Sequence, residues 1–197
     1  MKKTAFLFAL LLCPLFLFGQ SGAAESLDRM RQAIKAFGGY TASFTIASGE
    51  EQLLGSFAVE GERYRIELAD VEVYGEATER YEVNKSRREV TILKTDTQST
   101  DILSNPAHAL ELIGEEYRAV QLTETAAETT LSLGIDSSLR NAVRLTIDKR
   151  TNLPRSIVYL ADGLELKIEI HAIKSLPSSL PKYDPSRYAE YELIDFR

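Results

Sequence analysis

The chain has 197 residues and is acidic, with 29 Asp and Glu against 23 Lys and Arg and a formal net charge of −6 at pH 7. An acidic chain with no tryptophan and no basic patch is a poor partner for nucleic acid, because that binding depends on neutralising phosphates. The length is sufficient for one domain with a substantial hydrophobic core.

The first residues have the pattern of a secretory signal peptide. Lys2 and Lys3 precede an apolar run over residues 5–18, which is too short to span a bilayer as a helix. The single cysteine, Cys13, lies in this run and only loosely resembles a lipobox, because no small residues precede it. If it leaves with the signal peptide, neither disulfides nor thiol chemistry are expected.

Small residues after the apolar run place signal cleavage after Gly19 or after Ala23, and the sequence does not choose between the two. We therefore predict a signal peptide over residues 1–23, a periplasmic mature protein, and a single domain over residues 24–197. No later apolar run is long enough to cross a membrane as a helix.

One helix and about ten to eleven strands are predicted at the start and through the body of the mature chain. Ser26 is expected to cap an amphipathic helix that ends at Gly38. Alternating apolar and polar residues then predict strands at residues 40–46, 53–59, 63–68, 81–83, 90–93, 117–123, 129–135, 142–148, 156–160, 164–173 and 191–196. The short turns between them indicate an antiparallel meander that curls, followed by an extended, proline-bearing tail over residues 174–187.

A further short helix is predicted among the strands, at residues 105–113. Asn105 suits the N-cap position, Pro106 the first helical position and Gly114 the position after the helix. Its apolar side chains sweep an arc of about 220°, wider than the roughly 100° stripe that one packing face needs. Two interpretations fit this surplus: a deeply buried helix, and a movable element that covers an apolar site.

Groups that could carry out catalysis are scarce. Only two histidines are present, His108 and His171, and the HExxH, GxSxG, P-loop and dinucleotide-binding motifs are absent. The sequence therefore favours a protein that is not an enzyme and needs neither a cofactor nor a metal. A pair of carboxylates brought together by the fold for glycoside hydrolysis is the alternative left open.

Several segments resemble the LolA/LolB superfamily, which includes the periplasmic carrier of outer-membrane lipoproteins. The chain departs from the family pattern at Gly61, where the family has proline, and at Ile66, where it has tryptophan. The matching segments follow the family's order and are the opening helix, residues 40–44, 55–57, 62–66 and 81–92, the helix start Asn105-Pro106-Ala107, residues 148–159 and 162–163, and the closing residues 192–195.

The resemblance implies a mainly β fold, an incomplete antiparallel β-barrel that curves around an apolar cavity and is closed by a short helical lid. Arg65 matches a family arginine that hydrogen-bonds the lid backbone, so the resemblance implies a lid-latching role; the alternative is an exposed arginine on an amphipathic strand. The candidate lipid-side residues are Phe44, Ile46, Phe57, Tyr64 and Ile66. The lid would contribute Asn105, Pro106, Ala107, Leu110, Leu112 and Ile113.

These features predict a periplasmic carrier or chaperone that shelters the acyl chains of lipoproteins, or another lipid, for transfer toward the outer membrane. The expected partners are an inner-membrane donor and an outer-membrane acceptor, and the protein is expected to be a monomer. The alternative is a non-enzymatic sensor or interaction module of the same superfamily, which binds lipid or a regulatory protein.

Overall fold

The computed structural model describes residues 18–95, 118–134, 143–161 and 164–197. These residues contain one α-helix, α1 (Phe18–Lys35), and a 3₁₀ helix, Pro185–Tyr188. The strands are β1 (Gly39–Ser48), β2 (Glu51–Glu60), β3 (Arg63–Leu68), β4 (Val71–Gly75), β5 (Glu79–Asn84), β6 (Glu89–Lys94), β7 (Arg118–Glu124), β8 (Glu128–Gly134), β9 (Val143–Asp148), β10 (Pro154–Ala161), β11 (Leu164–Ser175) and β12 (Glu192–Asp195).

All twelve strands belong to one open sheet, in the order β12-β6-β5-β4-β3-β2-β1-β11-β10-β9-β8-β7. Two antiparallel meanders, β1 to β6 and β7 to β11, are joined through the pairing of β1 with β11. This open sheet confirms the predicted mainly β, incomplete barrel with an N-terminal helix. One pair departs from the antiparallel pattern, because the tail crosses the sheet before β12 pairs with β6 in parallel.

The strand β4 is missing from the predicted elements, so the expected count of ten to eleven strands was too low. It has only five residues and follows a tight turn in which Ala69 adopts a φ of 48°. A carboxylate, Glu72, lies within it, and charged residues are depleted in strands. This carboxylate is nevertheless buried by residues from the distant tail, which no local pattern reveals.

The helix α1 begins at Phe18, so the prediction that Ser26 caps it was wrong. Ser26 lies inside the helix, where its hydroxyl accepts a hydrogen bond of 3.2 Å from the Arg29 guanidinium. The packing face continues past it because small and apolar residues recur at three- and four-residue spacing on one side of α1. These buried residues are Ala23, Leu27, Met30 and Ile34.

One face of the sheet, which we call the helix face, packs against α1. Its buried cluster includes residues from β3 and from β8, which are six strands apart in the sheet. In a flat sheet that separation would be about 29 Å, whereas a helix with its side chains is only about 10 Å wide. The cluster is continuous through residues of the strands between β3 and β8, and α1 lies closest to β7, the strand at one edge of the sheet.

The opposite face, which we call the tail face, carries a second and smaller core on β4, β5 and β6. The tail over residues 176–191, here called the strap, covers it. The rings of Tyr81 and Tyr183 stack there at a centroid distance of 4.2 Å and an angle of 9°. The tail predicted as irregular thus packs closely on the sheet. This core consists of Tyr74, Val83, Val90 and Tyr188, with Tyr81, Tyr183 and Tyr191 packed against it.

Candidate functional site

The predicted lipid-side residues lie together on the helix face. They belong to the single buried cluster around α1, and their exposed fractions range from 1% to 7%. The strand register also places them on one face, because Phe57 is the direct partner of Ile66 and Val59 is the partner of Tyr64. Their contact with a lipid stays a prediction. The residues are Phe44, Ile46, Phe57, Tyr64 and Ile66.

Two aromatic rings of this cluster lie across glycines on the neighbouring strand. A Cβ atom placed on Gly55 would be 2.6 Å from Cζ of Phe44, and one on Gly75 would be 2.1 Å from Cε1 of Tyr64. Each glycine is the direct cross-strand partner of its aromatic residue. Glycine is required at both positions because only a missing side chain lets the ring approach the backbone.

Arg65 lies on the tail face, on the side of β3 opposite to the predicted lipid-side residues. Its guanidinium is 2.7 Å from the carboxylate of Glu67 and 3.5 Å from that of Glu72. It also lies over the Tyr74 ring, 5.1 Å from the centroid. The lid-latching role of Arg65 stays a prediction, because residues 105–113 lie outside the described residues.

Glu72, a buried carboxylate, fastens the strap to the tail face. Its Oε2 atom accepts hydrogen bonds of 2.7 Å from the hydroxyls of both Tyr74 and Tyr188, and its Oε1 atom is 2.6 Å from Nζ of Lys85. Burial alone would raise the pKa of Glu72, but the hydrogen bonds from Lys85, Tyr188 and Tyr74 outweigh it and lower the pKa to about 2. Burial, together with hydrogen bonds to Tyr74 and Glu72, raises the pKa of Tyr188.

The helix face also has an apolar rim, at the end of the β1–β2 hairpin. Leu53 pairs with Ile46 on this face and is 45% exposed, whereas Leu54 points to the tail face and is 76% exposed. Leu53 thus places an exposed apolar side chain on the helix face. The predicted lid lies outside the described residues, so its contribution stays a prediction for Asn105, Pro106, Ala107, Leu110, Leu112 and Ile113.

The helix face becomes polar on β5, in a patch that we call the polar margin, formed by Arg80 and Glu82. The register places them beside Gly75 and Val73, and the Arg80 guanidinium is 2.7 Å from the Glu82 carboxylate. Burial raises the pKa of the Tyr64 hydroxyl, while the charge of Arg80 and a hydrogen bond from it act to lower it. Sequence reasoning missed this pair, although charged residues at alternate positions of β5 were a visible signal.

On the helix face, the described residues bury apolar groups beside the ion pair of Arg80 and Glu82. Groups suited to reactive chemistry are few among them. Within the described ranges no group of three or more His, Cys, Asp and Glu residues could hold a metal ion. His171 lies on the tail face, where its Nε2 atom is 2.6 Å from Oγ1 of Thr45. No helix among these residues is both long and apolar enough to cross a membrane.

The solved structures to which this chain is similar include one LolA superfamily protein. An uncharacterized conserved protein from Thermus thermophilus matches with a TM-score of 0.54 and 15% identity, over 89% of this chain and 99% of that chain. A LolA superfamily protein from Nitrosomonas europaea matches with a TM-score of 0.42 and 12% identity, over 81% and 94% of the two chains. LprF from Mycobacterium bovis matches with a TM-score of 0.42 and 10% identity, over 83% of this chain and 98% of that chain.

The match to the Thermus thermophilus protein is therefore a similarity of fold. Identities of 10–15% concern the fold alone and carry no function from one protein to another. No family model and no curated protein sequence matches the chain. A functional conclusion has to come from the residues of the site.

Proposed function

We propose that this protein is a non-enzymatic periplasmic carrier that binds the acyl chains of lipoproteins, or of another lipid, on the helix face and moves them toward the outer membrane. The observation that supports this function is the helix face itself. It is apolar from β3 across to β8, and within the described residues the helix α1 packs against it.

Transfer needs a surface that keeps an acyl chain out of water but does not bind it too tightly to release it. Each methylene group kept out of water is worth about 0.8 kcal/mol, so an acyl chain crosses an aqueous compartment only inside an apolar shelter. Side chains of α1 fill the same face when cargo is absent, among them the flexible Met30. Their competition with cargo lowers the net affinity and makes release possible.

The proposal is tested at the rim, where a polar substitution does not disturb the core. Leu53→Gln is expected to weaken binding of a fluorescent fatty acid by about three- to tenfold, because about 1 kcal/mol of apolar contact is lost. Leu54→Gln is the matched control, since it makes the same change one residue away on the tail face. Titration of the probe into each purified variant measures the dissociation constants.

Equal binding by the two variants and the unchanged protein would place the lipid elsewhere and contradict the proposed role of the helix face. A wild-type protein that binds no acyl probe would overturn the carrier function altogether. Circular dichroism should show the same fold in both variants, because neither replaced side chain belongs to the buried core.

A further inference from the structure

Three residues that are paired across neighbouring strands connect the buried cluster to the charged side chain of Arg80. Tyr64 on β3 pairs with Gly75 on β4, and Gly75 pairs with Arg80 on β5. The Tyr64 ring lies across Gly75, because a Cβ there would be 2.2 Å from Cζ of the ring. The hydroxyl end of Tyr64 is therefore directed at β5, where the apolar surface ends and the polar margin begins.

The polar margin combines a full set of hydrogen-bond donors with no net charge. The Arg80 and Glu82 side chains are 18% and 35% exposed, so the pair is accessible from the edge of the helix face. A guanidinium carries five N–H donors, enough to serve Glu82, Tyr64 and one further acceptor. Both side chains are only partly exposed, so the pair lies at the boundary between the dry cluster and water.

These features point to a ligand that is apolar at one end and polar but uncharged at the other. An ester carbonyl can accept a hydrogen bond from Arg80 without bringing charge to the site. A free carboxylate would bring a second negative charge close to Glu82, and like charges at short range repel. Its loss of hydration would also be poorly compensated, since Glu82 already neutralises Arg80.

We infer that the polar margin binds the polar head of the cargo and selects an acyl ester over a free fatty acid. The inference rests on the proposed carrier function and adds the substrate class to it. Arg80 donates a hydrogen bond to the ester carbonyl, and the negative charge of Glu82 repels a carboxylate. Tyr64 lies between the polar head and the acyl chain on the helix face.

The test uses two probes with the same fluorescent acyl chain, one a free fatty acid and the other its glycerol monoester, each kept below its micelle-forming concentration at neutral pH. Glu82→Gln keeps the shape of the side chain and removes its charge. Arg80→Met keeps the apolar stem and removes the donors. Glu169→Gln is the matched control, because Lys167 and Glu169 form a pair with the same spacing on the tail face of β11.

The unchanged protein is expected to bind the monoester about tenfold more tightly than the acid, the size of one charge-assisted hydrogen bond or close charge contact. Glu82→Gln should remove most of this preference by improving binding of the acid, and Arg80→Met should weaken the monoester about tenfold. Glu169→Gln should change neither value.

An unchanged ester-to-acid preference in Glu82→Gln would overturn the selection by the polar margin while leaving the carrier function intact, since the protein would still bind acyl probes. Failure of the unchanged protein to bind either probe would instead refute the carrier function. The two failures are distinguished in one set of titrations.

Discussion

Replacing Gly75 by alanine is expected to lower the free energy of unfolding by about 1–3 kcal/mol, the usual cost of forcing an extra methyl group into a packed core. The new Cβ would lie 2.1 Å from Cε1 of Tyr64, a distance that no real contact tolerates. The ring cannot simply turn away, since Tyr64 is only 1% exposed. The same change should weaken acyl binding by moving the ring. Urea unfolding measures the stability of each variant.

Whether the Tyr64 ring causes this loss is tested by making Gly75→Ala in a protein that lacks the ring. In a Tyr64→Leu background, Gly75→Ala should cost much less than in the unchanged protein, because the clash is absent. Alanine otherwise improves on glycine inside a strand, so intrinsic preference acts in the opposite direction. An equal cost in both backgrounds would show that the packing of Tyr64 on Gly75 does not explain the requirement for glycine.

Replacing Glu72 by glutamine is expected to destabilise the protein by about 1.5–3 kcal/mol at neutral pH, because the buried hydroxyls of Tyr74 and Tyr188 lose their charged acceptor. The loss should depend on pH. The pKa of Glu72 in the folded protein is about 2, against an ordinary value of 4.5. Its charged form therefore stabilises the fold fully above about pH 4.5, and this contribution is lost as the pH falls toward 2.

The measurement is the free energy of unfolding of both proteins across this acidic range. The gap between the unchanged protein and Glu72→Gln should narrow as the pH falls from about 4.5 to about 2. Glu67→Gln is the control, because Glu67 contacts the same Arg65 but is 51% exposed and should contribute less than about 1 kcal/mol. A gap of constant size would mean that the Glu72 charge does not fasten the strap.

The parts of the fold that depend on local patterns could be predicted from the sequence. The strand β11 was recognised because apolar residues alternate along it and one of its faces is dry. The strand β4 was not, because the partner that buries Glu72 is Tyr188, 116 residues further along the chain. The parallel pairing of β12 with β6 depends on the same long-range packing of the strap.

In the candidate site, too, the features set by local patterns could be predicted and those set by long-range pairing could not. The burial of the candidate lipid-side residues on one face could be predicted, because alternation identifies one apolar face on each of β1, β2 and β3. Alternation also requires Tyr64 and Arg65 to point to opposite faces, which the structure bears out. The polar margin was missed because Arg80 and Glu82 look like an ordinary solvated face, and only the sheet register places them beside Gly75 and Val73. Such a placement is a property of the whole sheet.

Native mass spectrometry of the protein purified from its native cells tests most directly whether the helix face holds an acyl chain. We expect a bound acyl lipid, seen as added mass, that an excess of the fluorescent glycerol monoester displaces. A protein that is recovered empty and also fails to bind either fluorescent acyl probe would contradict the account.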